Sequence, residues 1–196
     1  EIFGAYVEAK QSSAVLDYDD LLLAWATMMQ NRQLAEEVGR RFDHVMVDEY
    51  QHTNRLQAGI LQAMKPVGHG LTVVGDDAQS IYAFRAAEVR NILDFPTQFD
   101  PLAKVIALEE NYRSTPEILA AANAILAEAV EGYGKTLLSE RTQGGMPRLV
   151  TVCDDASQAQ FVSEAILAAR ETGTLLKQQA VLFRTSHHSG SLEVEL

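Results

Sequence analysis

Val45-Met46-Val47-Asp48-Glu49-Tyr50-Gln51-His52-Thr53-Asn54 is the stretch that decides the fold. It opens with a short apolar run, Val45 to Val47, and two carboxylates follow at once. Behind it, Arg40-Arg41-Phe42-Asp43 ends a polar helical segment; ahead of it, Asn54-Arg55-Leu56-Gln57 opens another helix. An apolar β-run that ends in Asp-Glu and turns into a helix is the layout of a nucleotide hydrolysis site. In open parallel sheets, ligands bind off the carboxyl ends of the strands. One carboxylate there can hold Mg²⁺, directly or through water, and its neighbour can polarise an attacking water. The alternative is a strand followed by an acidic turn.

Working outward, the same alternation recurs. Leu16-Asp17-Tyr18-Asp19-Asp20 opens a helix, with Asp17 at the N-cap and Asp19 and Asp20 against the positive helix end. Capping accounts for those carboxylates better than a functional role does. Tyr18, Leu21, Leu22, Trp25 and Met28 repeat at helical spacing and read as a core-facing stripe. Residues 31 to 40 read as a polar helix, and 54 to 64 as a helix with Leu56, Ile60, Leu61 and Met64 inward. Further β-runs are expected at Leu71 to Val74, Val105 to Leu108, Leu149 to Val152 and Ala180 to Phe183. Helices are expected at 86 to 93, from Thr115 with Pro116 in its first turn, and at 157 to 170. Phe95 to Pro101, with two prolines and no periodicity, is the best linker, and 132 to 147 reads as an irregular connection. Strands alternating with helices imply parallel βαβ units, an α/β fold.

Composition narrows the class. The 196 residues suffice for one large or two small domains. A hydrophobic content of 47% supports a packed core. No run of about 18 apolar residues is present, and no basic-then-apolar leader opens the chain, so no membrane span or signal peptide is expected. The single cysteine, Cys153, precludes an internal disulfide and fits a reducing, cytoplasmic compartment. A net charge of −11 argues against a generic nucleic-acid coat but leaves room for a local DNA track. Glu1 and Leu196 suggest a slice of a longer chain.

Two more clusters follow β-runs. In Gly75-Asp76-Asp77-Ala78-Gln79-Ser80-Ile81-Tyr82-Ala83-Phe84-Arg85, Gln79 offers a donor and an acceptor for sensing a phosphate or its attacking water. Tyr82 and Phe84 are either a stacking platform for unpaired bases or core aromatics. In Glu109-Glu110-Asn111-Tyr112-Arg113-Ser114, Arg113 either reaches a γ-phosphate across a domain boundary or pairs with Glu109 or Glu110. Gly134-Lys135-Thr136 imitates the end of a P-loop, but the glycine required five residues earlier is Ala129 and a helix precedes it. No lysine for the β- and γ-phosphates is visible, and the histidines and cysteine show no metal-ligand spacing.

Together these stretches resemble a known family. Residues 47 to 54 resemble the Walker B motif of UvrD/Rep-type superfamily 1 helicases; 74 to 87 look like their motif III, and 108 to 114 like their motif IV. Residues 16 to 22 are similar to the family's acidic helix before Walker B, and 180 to 185 to a later strand of the second motor domain. The chain departs from the pattern in carrying His52 where the family commonly has Asp, Tyr50 where it has Phe, and Ala86 where it usually has Gly. The resemblance implies RecA-like parallel sheets flanked by helices, with residues 1–103 the later part of a first motor domain and 104–196 the first part of a second. Walker A is expected before residue 1 and motifs V and VI after residue 196. The implied activity is ATP-driven 3′→5′ translocation on single-stranded DNA, or on DNA with a 3′ single-stranded tail, by a cytoplasmic, nucleoid-associated helicase. An inactive binding domain on the same scaffold and a RecB- or AddA-type helicase-nuclease motor are the alternatives. In the family's scheme Asp48 binds Mg²⁺ and Glu49 activates water. Gln79 couples the γ-phosphate of ATP to DNA, Arg113 touches it from the second domain, and Tyr82, Phe84 and His52 lie on the DNA side.

Overall fold

The computed structural model describes residues 2–142 and 144–195, which fall into two compact units, Glu1–Gly145 and Met146–Leu196. Glu1, Leu196 and, within the expected 132–147 connection, Gln143 lie outside the described residues.

In the first unit the order is α1 (Ile2–Ser12), α2 (Tyr18–Met29), α3 (Arg32–Arg40), β1 (Val45–Val47), α4 (Arg55–Met64), β2 (Leu71–Val73), α5 (Arg90–Leu93) and α6 (Pro116–Leu126). The helix starts are set by local side chains. Asp17 and Asp20 form a capping box at α2, and Asn54 and Gln57 form one at α4, with 2.9 Å bonds in both directions. Asn31 caps α3 by accepting the Gln33 and Leu34 N–H groups. Thr115 sits at the N-cap position of α6 with Pro116 first in the helix, but its hydroxyl makes no capping bond.

β1 and β2 pair in parallel, Val45 opposite Leu71 and Val47 opposite Val73. The pairing runs on past the strands, where Val74 donates to the Val47 carbonyl at 2.7 Å and Tyr50 donates to the Val74 carbonyl at 2.9 Å. Val45 packs on a cluster of Met29, Ala35, Ile60 and Met64 from α2, α3 and α4. Val47, Leu71 and Val73 pack on a second cluster of Tyr50, Ile92, Phe95 and Phe99. Each buried side chain of this size contributes about 1.5–3 kcal/mol. Met46, between them, points to the other face and is exposed.

Several expectations need correction. The segments 105–108, 149–152 and 180–183 form no strands. A strand exists only where its N–H and C=O groups meet a neighbour's, and no described segment ladders with them. The first is followed by a single parallel bridge, Glu110 with Leu138. The stripe on α2 is turned: Tyr18, Leu21, Trp25 and Met28 are exposed, while Met29 is buried with Leu22 and Ala26 packed beside it. Helix α2 is covered where it meets α3 and α4, and that contact selects the face. The expected linker is part of the core, for Phe95 and Phe99 are buried with ring centroids 5.1 Å apart. The helix expected over 86–93 is limited to Arg90–Leu93, after a turn at Ala83–Arg85.

In the second unit, α7 (Asp155–Glu171) is capped by Asp154, which accepts the Ser157 N–H at 2.7 Å. It packs on α8 (Gly190–Glu195), with Ala159 and Leu192 buried.

Candidate functional site

The carboxyl ends of β1 and β2 lie side by side, so the residues that follow them share one sheet edge. Asp48 is exposed there and accepts the Glu49 N–H at 2.9 Å. Glu49 adopts a left-handed backbone, φ 53° and ψ 39°, a conformation that costs a non-glycine residue about 1–2 kcal/mol. Its surroundings impose that kink. Just beyond it Tyr50 is buried, its ring edge-on to Phe95 at 5.4 Å, and its N–H is already committed to β2. Asn91, also buried, donates to the Thr53 carbonyl at 3.0 Å and ties the following turn to α5. The chain must therefore reverse within Glu49. Strain held in this way is typical of functional positions. The Glu49 side chain is left 61% exposed, facing solvent at the sheet edge.

Gln51 organises the interior of this edge. It is only 1% exposed. Its amide donates to the Glu49 carboxylate at 2.6 Å, and its carbonyl oxygen accepts the Asp76 N–H at 3.0 Å. Asp76 in turn accepts from the Gln79 amide at 2.9 Å and from the Ala78 N–H at 3.0 Å. A line of contacts thus runs from Glu49 through Gln51 to the Asp76 main chain, and from the Asp76 carboxylate to Gln79. It requires a glycine at position 75, because a Cβ there would lie 2.5 Å from the Gln51 oxygen and 2.8 Å from Ile92. Burial pushes the Asp76 carboxyl up, but hydrogen bonds from Lys135 and Gln79 and the Lys135 charge more than offset it, leaving the group below the usual aspartate value.

A second line of contacts leads outward from Glu49. His52 Nε2 lies 3.5 Å from its carboxylate, and the His52 ring meets Tyr82 edge-on at 4.6 Å. Tyr82 meets Phe84 at 5.9 Å, and the Arg85 guanidinium lies over both rings at 5.2 and 5.5 Å. Tyr82 is half-buried and Phe84 is 73% exposed, so neither is a core aromatic. The two sit at a short 3₁₀ turn, Ala83–Arg85, rather than on an extended segment, and Ala86 closes that turn with φ 62°.

Arg113 is exposed and pairs with neither Glu109 nor Glu110 among the described residues. Its loop is braced by Asn111, whose side-chain oxygen accepts the Arg113 and Ser114 N–H groups at 3.0 and 2.7 Å, and by Arg141, which donates to the Arg113 carbonyl at 2.6 Å. Lys135 ion-pairs with Asp76 and stands 3.7 Å from Asp77. Sequence reasoning did not find Gln51, Asp76 or Lys135 as site residues. Gln51 was at least in view beside Glu49, whereas Lys135 signals itself only as a P-loop imitation.

No group of three or more His, Cys, Asp or Glu side chains suited to a metal is found among the described residues. The exposed oxygen donors at 48 and 49 nevertheless fit Mg²⁺, which keeps several waters and takes one or two carboxylates together with substrate phosphates.

Comparison with known proteins identifies the family. The family model described as the UvrD/REP helicase N-terminal domain matches residues 1–100, and the UvrD-like helicase C-terminal domain matches residues 106–196. The chain is 34% identical over 197 residues to DNA helicase II of Escherichia coli, covering 100% of this chain and 27% of that protein. It is 37% identical over 202 residues to the ATP-dependent DNA helicase UvrD1 of Mycobacterium tuberculosis, and 33% identical over 193 residues to the ATP-dependent DNA helicase PcrA of Staphylococcus aureus, covering 98% of this chain and 26% of the relative in both cases. The chain thus spans about a quarter of the length of these curated relatives. With two adjoining family models accounting for nearly its whole length over an α/β sheet edge of this kind, the chain belongs to the UvrD/Rep helicase family.

Proposed function

We propose that this chain is the central part of an ATP-driven motor that moves 3′→5′ along single-stranded DNA and unwinds duplexes carrying a 3′ single-stranded tail. Residues 1–103 belong to one RecA-like domain of a P-loop NTPase and 104–196 to a second. The observation that carries this reading is the line of contacts that leads from the Glu49 carboxylate through His52 to the Tyr82 and Phe84 rings. A hydrolase alone has no need of such a link, whereas a translocase must connect the phosphate to the strand it pulls.

Asp48 is the Mg²⁺ ligand. Mg²⁺ held there would supply positive charge against the charge that develops during phosphoryl transfer. Glu49 accepts the proton of the attacking water; its exposed carboxylate is held in orientation by Gln51. Gln79 reads the γ-phosphate, and Arg113, on a braced and exposed loop, stabilises the transferred group as an arginine finger. Tyr82 and Phe84 stack on bases, and His52 sits between the hydrolysis carboxylate and the first of those rings. None of the described helices is long and apolar enough to cross a membrane.

The test uses the full-length protein. Single-stranded DNA should stimulate its ATP hydrolysis, and it should unwind a 3′-tailed duplex but not a 5′-tailed one. ATP hydrolysis indifferent to DNA would refute the coupling, and unwinding from a 5′ tail would refute the direction.

A further inference from the structure

The stretch Gly134-Lys135-Thr136 is not a phosphate loop, yet its lysine is committed to the site. The Lys135 side chain is only 15% exposed. An ammonium that has lost most of its water is stable only with close counter-charges. Asp76 supplies one directly and Asp77 a second at 3.7 Å.

Lys135 is one of three consecutive grips. Glu131, Tyr133 and Lys135 alternate along the chain. Glu131 pairs with Arg90 at α5. The Tyr133 hydroxyl donates to the Ile92 and Leu93 carbonyls at 2.8 and 3.2 Å, and its N–H to Asp77 at 3.3 Å. Gly132 is pressed so close to Asp77 that a Cβ there would stand 2.5 Å from the carboxylate oxygen. The same segment then turns to the Arg113 loop. The Thr136 N–H donates to the Glu109 carboxylate and the Leu138 N–H to the Glu109 carbonyl, both at 2.9 Å. Asn111 donates to the Leu138 carbonyl at 2.6 Å, and Arg141 reaches the Arg113 carbonyl. One short strap therefore holds the turn bearing Gln79 at one end and the loop bearing Arg113 at the other.

We propose that residues 131–141 are a coupling strap between these two phosphate-facing elements, and that Lys135 is its positioning residue, fixing Asp76 and through it the amide of Gln79. The proposal rests on the roles assigned above to Gln79 and Arg113. Lys135 touches no substrate. Without its charge, Asp76 keeps only the Ala78 and Gln79 donors for a partly buried carboxylate, so the group that holds the Gln79 amide is itself less firmly placed.

The test compares Lys135→Ala and Lys135→Arg with wild type in the full-length protein, using ATP and oligodeoxythymidylate. Lys135→Ala should lower the DNA-stimulated kcat by about tenfold to a hundredfold, the scale of a small misplacement of a catalytic group. KM for ATP and Kd for the oligonucleotide should change less than about threefold, because the loss falls on the transition state rather than on uniform binding. Lys135→Arg, which keeps the charge, should recover most of kcat. A kcat within about twofold of wild type in Lys135→Ala, a parallel rise in KM, or a folded Lys135→Arg no better than the alanine variant would each overturn the proposal. If Lys135→Ala does not melt cooperatively, Lys135→Arg decides alone: retained kcat supports the strap, and lost kcat in a folded protein overturns it. A wild-type protein without DNA-stimulated ATPase would overturn the functional reading as well. Normal wild-type activity with an unaffected Lys135→Ala overturns only the strap.

Discussion

Replacing Gln51 with Met keeps the length of the side chain and removes both of its hydrogen bonds. Gln51 is 1% exposed, so water cannot substitute for what is lost on its own side. The Asp76 N–H, now without its acceptor, costs about 1–3 kcal/mol as an unsatisfied, partly buried donor. The bond to Glu49 counts for less, roughly 0.5–1 kcal/mol, because that carboxylate is 61% exposed and can rehydrate. No cavity of consequence opens, since the volumes nearly match. The expected loss is about 1.5–4 kcal/mol, or roughly 3–16 °C in Tm for a chain of this size. Thermal unfolding of the 196-residue chain, followed by circular dichroism, measures it. Gln51→Glu provides the control of sign. It sets a second carboxylate against Glu49 at a site where the amide stood 2.6 Å away. Burial and like charge raise the folded-state pKa of the new group, so its penalty is absent at acid pH and grows as pH rises through the carboxylate range. A Gln51→Met melt within about 1 °C of wild type would refute the claim that Gln51 holds this edge together, since about 1.5 kcal/mol cannot hide in so small a shift.

Three further outcomes are expected. Phe84→Ala should weaken single-stranded DNA binding by the full-length protein roughly tenfold to a hundredfold, the worth of one stacked base, and leave its salt dependence unchanged; titration at two salt concentrations checks both. Ala86→Gly should raise Tm by about 1–4 °C, because relief of the left-handed backbone at φ 62° exceeds the entropy that glycine adds to the unfolded chain. The lowered pKa of Asp76 stabilises the folded state above the ordinary aspartate range, and that contribution disappears as pH falls through the folded-state value. Asp76→Asn should therefore lose stability at neutral pH and show a shallower acid limb in a Tm-against-pH series.

What was legible in the sequence was local. Asp17, Asn31 and Asn54 announce their helices because a cap bonds to N–H groups two or three residues away. The β1 and β2 runs and the acidic residues that follow them were legible as well. The strands expected at 105–108, 149–152 and 180–183 were not, because an apolar run states a preference while a ladder needs a neighbour. Periodicity in α2 drew a stripe through Tyr18 and Trp25, but only the contact with α3 and α4 decides which flank is covered. Phe95 and Phe99 look like punctuation around prolines and are core. Gln51 and Lys135 were the hardest to see. Their partners lie 25 and 59 residues away, and nothing within a window of a few residues points to Asp76.

Glu49→Gln in the full-length protein is the most direct test of whether this edge is a hydrolysis site. The substitution keeps size and shape and removes the proton acceptor. ATP binding, measured by equilibrium titration, should stay within about threefold of wild type, while DNA-stimulated turnover falls by about 10²–10⁴. Turnover that survives in Glu49→Gln would mean that Glu49 is not the base and that the Glu49–Gln51–Asp76–Gln79 contacts serve the fold rather than the chemistry.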